Sequence, residues 1–132
     1  MSLAMVPVHA GLPTLLFVVP GFRVVTRRRS ARVGLGDGGD GILGRRVRAH
    51  GNLAEHVPLA FLLMALAELQ GASAWTWHMI GTSLIAGRLL HAWGVGREPE
   101  ILNLRVAGMV LTFFALITGA LANLGMAGLA SG

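Results

Sequence analysis

Four stretches of this chain are apolar for about the 20 residues that a bilayer crossing requires, and polar segments separate them. The first covers about residues 4–25 and holds Pro7, Pro13 and Pro20, which predicts a helix that is kinked or starts late. The second, about 45–69, begins inside the polar run "RVRAHGNLAEHVP" and passes directly into "LAFLLMALAEL". The third covers about 75–94 and the fourth about 104–124. Between the first two lies "GLGDGGDGILG", the one connection long enough to be a real loop. It lacks the Lys-Ser/Thr pair of a phosphate-binding loop and the alternating carboxylates of a calcium loop, so it reads as a flexible turn. Small residues recur at Gly108, Thr112, Ala115 and Gly119 on the fourth helix, and at Ser83 and Gly87 on the third. Such stripes let helix backbones approach closely. With no repeat and no composition break, residues 1–132 read as one all-α unit, an integral membrane four-helix bundle.

Composition narrows the class further. Apolar residues make up 54% of the chain and charged residues 13%, and the mean hydropathy is +0.66. A soluble domain of this size could not hide that much apolar surface. The absence of cysteine removes disulfides and thiolate metal sites. The net charge of +5 rests on eleven basic residues, all arginine, and no aromatic and basic positions interleave as a nucleic-acid surface would need. Eight of the arginines, Arg23 to Arg48, surround the first connection, and Arg88, Arg97 and Arg105 surround the third. Positive charge retained on the cytoplasmic side puts both connections there and both termini outside. Trp75 and Trp77 then mark the outer interface and Trp93 the inner one, and the stretch from Trp77 to Trp93 spans about 24 Å as a helix. The first apolar stretch has no basic leader and no clear cleavage site, so it is expected to be a retained span.

The polar residues of the spans gather near the arginine side. As a helix, the second stretch places Arg45, Arg48, Asn52 and Glu55 on one narrow face, with His56 at its edge and His50 pointing away. Glu55 lies about 15 Å along the helix from Arg45, inside the hydrocarbon edge. The third helix carries Arg88 and His91 at i, i+3, and Arg105 stands in the first turn of the fourth. Intramembrane polar groups cost several kcal/mol unless paired or wet, so a shared cleft is expected, with Glu55 paired to Arg88 within a subunit or across an interface. Arg45, Arg46 and the "TRRRSAR" run also read as topology signals and lipid-headgroup contacts, while His9 and His78 read as interfacial. A metal cluster of Glu55, His56 and His91 has no supporting spacing, and no metal is expected.

These residues resemble the second-helix signature of the MAPEG family, the membrane-associated proteins in eicosanoid and glutathione metabolism. The pattern R-x-x-R-A-x-x-N-x-x-E-x-x-P is met by Arg45, Arg48, Ala49, Asn52, Glu55 and Pro58. "GDGG", "AELQGA", "AGRLLHAWG" and "ALANL" are similar to the small bacterial inner-membrane branch. The resemblance implies a four-helix subunit assembled as a homotrimer in the inner membrane, with glutathione as co-substrate bound between neighbours near the cytoplasmic face. It also implies that Arg45, Arg48, Asn52, Glu55, His56, Arg88 and His91 contact glutathione and that Arg105 activates the thiol. The chain has no tyrosine; His56 stands where the motif often has one, and Val95 at a second aromatic hydroxyl position.

The residue types suit that ligand. Arginine forks match the two carboxylates of glutathione, Glu55 its ammonium and Asn52 a peptide group. A guanidinium can favour the thiolate but cannot act as a base. The expected partners are other copies of the chain, membrane lipid and a small hydrophobic substrate. The expected activity is glutathione-dependent transfer to hydrophobic electrophiles or reduction of lipid hydroperoxides. Two alternatives stay open: a non-catalytic glutathione- or anion-binding protein of the same architecture, and a small exporter with Glu55 as its proton-coupled acid.

Overall fold

The computed structural model describes residues 6–130, which form four helices and, among the described residues, no strand. They are α1 (Val6–Ala31), α2 (Gly41–Leu69), α3 (Ala74–Val95) and α4 (Leu102–Ala130). The chain runs up and down, so the α1–α2 and α3–α4 connections share one end, here the arginine end. The α2–α3 turn lies at the other. α1, α2 and α4 are long and apolar enough to cross a membrane. α3 is long enough at 22 residues, but it is not among the helices apolar enough by composition. Four spans are expected, and three of the four helices meet that description by composition. Arg88 and His91 of α3 are buried against neighbouring helices, so its polarity is turned inward.

Helix boundaries follow local chemistry. α1 continues past the expected end near residue 25 because the "TRRRSA" segment contains no breaker. It stops where Arg32 takes a left-handed φ of 56°. There Val33 N–H donates to the Arg28 carbonyl at 3.0 Å and Arg32 N–H to Arg29 at 3.3 Å, the paired bonds of a Schellman ending. α2 ends the same way around Gly71, whose φ is +84°. α2 also begins earlier than expected, because Asp40 caps it. The Asp40 Oδ1 atom accepts the Leu43 N–H at 2.9 Å, and its Oδ2 meets Arg27 of α1 at 2.7 Å.

The glycine-rich loop is accordingly tied down rather than loose. Arg28 donates to the carbonyls of Gly34 and Gly36, and Asp37 accepts from Gly39 N–H. Asp40's carboxyl is held below the ordinary carboxylate range, first by the Leu43 amide and then by the Arg27 guanidinium. A depressed folded-state pKa gives stability that is complete above the unfolded value near pH 4 and fades as pH falls through the folded value. Asp40→Asn, which keeps the cap but not the charge, should therefore flatten the acid end of the stability–pH curve in detergent. An unchanged acid midpoint would show that this carboxylate contributes nothing.

The core lies between α2, α3 and α4, around Leu53, Val57, Ala60, Met64, Ile80, Leu84 and Ala115. Gly108, Thr112, Ala115 and Gly119 form the buried stripe of α4, as their spacing predicts. The outward faces carry Leu59, Leu62 and Leu66 on α2 and Val110, Phe114, Ile117 and Leu121 on α4. Apolar exposure on this scale belongs against lipid or another subunit. At the far end, Asn123 of α4 donates to the Leu63 carbonyl of α2 at 2.8 Å and accepts from Gln70 at 2.7 Å. His9, expected at the interface, is instead buried against Gly81 of α3, with its ring 5.3 Å from His78.

Candidate functional site

The polar residues of α2 divide by helix angle into three groups. Arg48 and Glu55 point out of the bundle, with side chains 68% and 55% exposed, and approach each other at 3.9 Å. They are two turns apart on the stripe that continues as Leu59, Leu62 and Leu66. Asn52 lies between them in sequence but turns inward and is buried. Arg45, at the arginine end, is ion-paired with Glu98 of the α3–α4 connection.

Asn52 belongs to a buried knot centred on Arg88. The Arg88 Nη1 atom donates to Asn52 Oδ1. Its Nη2 donates to Thr112 Oγ1 at 2.5 Å and lies 3.4 Å from the Gly108 carbonyl and 3.5 Å from Met109 Sδ. Thr112 passes its own hydroxyl hydrogen to the Gly108 carbonyl at 2.8 Å. Arg88 is 2% exposed, its Nε has no partner, and no carboxylate among the described residues pairs with it. The expected Glu55–Arg88 pair is therefore not made within one chain. Asn52 takes that place because it lies about one turn nearer the arginine end and on the inward side of α2. Thr112 was legible in the sequence only as a packing residue, and its hydroxyl matters because Gly87 and Gly108 let α3 and α4 nearly touch.

Next to the knot, His91 Nδ1 faces the Arg105 carbonyl at 3.4 Å. The side chain of Arg105 turns to Glu100 at 3.2 Å. His56 Nδ1 lies 2.8 Å from the Asn52 carbonyl. A carbonyl only accepts, so this nitrogen carries the proton and Nε2 is left as an acceptor in the neutral ring. The His56 ring also meets Phe113 of α4 edge-on, with centroids 5.9 Å apart. Glu55, His56 and His91 do not converge as metal ligands. His50, expected to point away from the Arg45–Glu55 face of α2, is half-buried between α1 and α2, with its ring 4.4 Å from that of Phe17.

The site residues thus occupy the arginine half of α2, α3 and α4, as a buried guanidinium knot flanked by an exposed ion pair. The sequence profile of the MAPEG family matches residues 6–125, almost the whole described chain. The chain belongs to the MAPEG family. Inner membrane protein YecN of Escherichia coli strain K12 is 40% identical over 116 residues, which cover 88% of this chain and 87% of that protein. YecN of strain CFT073 matches over the same span with the same identity. No solved structure matches significantly. Membership agrees with the all-helical bundle and its apolar outer faces, and with the inner-membrane relatives it places this MAPEG protein in a bacterial inner membrane.

Proposed function

We propose that this MAPEG protein binds glutathione against the Arg48–Glu55 face of α2 and catalyses its addition to hydrophobic electrophiles or its oxidation by lipid hydroperoxides. The observation that supports this best is the surplus of guanidinium at the site. Arg88 is buried without a carboxylate, and Arg48 is mostly exposed beside a loosely held Glu55. A peptide with two carboxylates and one ammonium complements that set: the exposed Arg48 fork takes a carboxylate, Glu55 takes the ammonium, and the buried Arg88 adds positive charge behind them. A homotrimer would close the exposed α2 face against a neighbour and complete the cleft. In this reading the cleft lies near the cytoplasmic face, which the gathering of arginine on one side supports.

Arg105 is the thiol activator in this reading. Its guanidinium stabilises the glutathione thiolate while the sulfur attacks an electrophilic carbon and the leaving group departs with its electron pair. That guanidinium is held by Glu100 at 3.2 Å, so glutathione must compete with Glu100 for it. With purified protein in liposomes, Arg105→Ala is expected to lower glutathione-dependent turnover about 100-fold. Arg48→Ala and Glu55→Gln should weaken glutathione binding about tenfold each, read by calorimetry. Glu100→Gln should raise the thiolate absorbance of bound glutathione. Absence of both binding and turnover in the intact protein would overturn the proposal. Binding without turnover for any electrophile would instead establish the non-catalytic reading, which the lack of tyrosine and the Glu100–Arg105 pair favour.

A further inference from the structure

A cavity opens at the arginine end, on the side of α2 away from the Arg48–Glu55 face. It holds about 220 Å³ between α1, α2 and the end of α3. Its polar wall is Arg23 of α1, Arg45 and Arg46 of α2, and Glu98 after α3. Pro20, Ile42, Ala49 and Ala92 give the rest of its lining an apolar character. Arg46 and Ala49 stand on the side of α2 that faces α1, whereas Arg48 and Glu55 point out of the bundle.

Three guanidinium groups and one carboxylate leave a formal surplus of two positive charges around this volume. Two of the guanidiniums are held in place: Arg45 by Glu98, and Arg46 by a 3.0 Å bond to the Arg23 carbonyl. The side chain of Arg23 has neither an ion pair nor a hydrogen bond among those of the described residues. Its helix turns from Val18, Val19 and Phe22, all exposed and apolar, to the arginine run within this one turn. The cavity therefore sits on the border between the apolar and the charged part of the bundle. By volume it would take about seven waters, enough for a phosphoryl group and the first carbons attached to it.

We propose that this cavity is a binding site for a phosphoryl anion, supplied by the headgroup of an anionic phospholipid, distinct from the glutathione face. Arginine forks bind phosphate oxygens in pairs, and basic pockets between membrane helices attract anionic headgroups. The apolar lining accommodates the glycerol carbons, and the exposed apolar face of α1 gives the acyl chains a path into the bilayer. Arg23 supplies the free fork, while Arg45 and Arg46 add charge from the opposite wall. A bound headgroup would then clamp α1 to α2 at the end where Arg27 and Asp40 already join them.

Native mass spectrometry of the full chain, released from micelles doped with phosphatidylglycerol or phosphatidylcholine, tests this directly. One phosphatidylglycerol per chain should be retained at least about fivefold better than phosphatidylcholine. Arg23→Ala, Arg46→Gln and the cavity-filling Ala92→Leu should each abolish that preference, and Arg48→Ala should leave it intact. Ala92→Leu changes no charge, so its effect separates a pocket from general surface attraction. Displacement of the lipid by millimolar inorganic phosphate would support the phosphoryl site and make free phosphate a competing occupant. Equal retention of the two lipids, or a preference insensitive to Arg23→Ala and Ala92→Leu, would overturn the proposal. So would loss of the lipid on adding glutathione, since the two sites would then be one. Glutathione binding, measured separately and weakened in Arg48→Ala, stands or falls independently of these results.

Discussion

Gly108→Ala is expected to destabilise the protein more than any other single-methyl addition on α4, by about 3 kcal/mol. A Cβ at this position would stand 2.5 Å from the Gly87 carbonyl oxygen and 2.5 Å from the His91 nitrogen. Both are backbone atoms of α3, which cannot rotate aside, so the two helices would have to separate. Separation would also pull the Gly108 carbonyl and Thr112 away from Arg88, joining a steric cost to a lost hydrogen bond. Two further glycines of α4 calibrate the effect. At Gly119 the nearest atoms belong to the Leu63 and Ile80 side chains, the closest at 3.0 Å, and alanine should cost about 1 kcal/mol. At Gly125 nothing lies within 4 Å, and alanine should stabilise slightly through its better helix propensity. Thermal unfolding of the three variants in one detergent checks the order. A Gly108→Ala protein that melts with the wild type would show that α3 and α4 are not in backbone contact.

Arg88 should show stability and function separating. Arg88→Ala removes the donor from buried Asn52 Oδ1 and empties a packed site, for an expected loss of about 4 kcal/mol. Arg88→Lys keeps the charge, but a single ammonium cannot reach Asn52 and Thr112 together, so it should stay well below wild type. Arg88→Met fills much of the volume and removes a buried cation that has no carboxylate. Replacing buried charge by apolar volume is often neutral or better, so Met should be the least destabilising of the three. All three should weaken glutathione binding, because each removes the guanidinium that fixes Asn52 behind the α2 face. If Arg88→Met unfolds as readily as Arg88→Ala, the hydrogen bonds of the knot rather than its packing hold α2 to α4. If it retains full glutathione affinity, Arg88 has no part in the site.

Much of this molecule was legible along the chain. Apolar runs of bilayer length mark the helices, the Gly108–Gly119 stripe marks the face of α4 that packs, and the six matched positions from Arg45 to Pro58 mark the family. These are local properties: length, spacing and residue type act within one helix and leave a trace in order. The helix ends were less legible. Arg32 closes α1 with a left-handed conformation that glycine usually supplies, and Asp40 reads as one more loop residue until Leu43 is seen to donate to it.

The partners of the charged groups depend on which helices become neighbours, and no spacing encodes that. Arg45, Arg48, Asn52 and Glu55 share a face by periodicity, yet the bundle sends Arg45 to Glu98, leaves Arg48 and Glu55 outside, and turns Asn52 to Arg88. A face about 80° wide is divided as soon as two other helices pack along its edge. Thr112 becomes a ligand of Arg88 because two glycines on different helices bring the backbones together, and Glu100 captures Arg105 because the short connection brings it back. Residue chemistry and periodicity therefore set which groups are available at the arginine end. Packing, which alone fixes distances between helices, decides which of them meet.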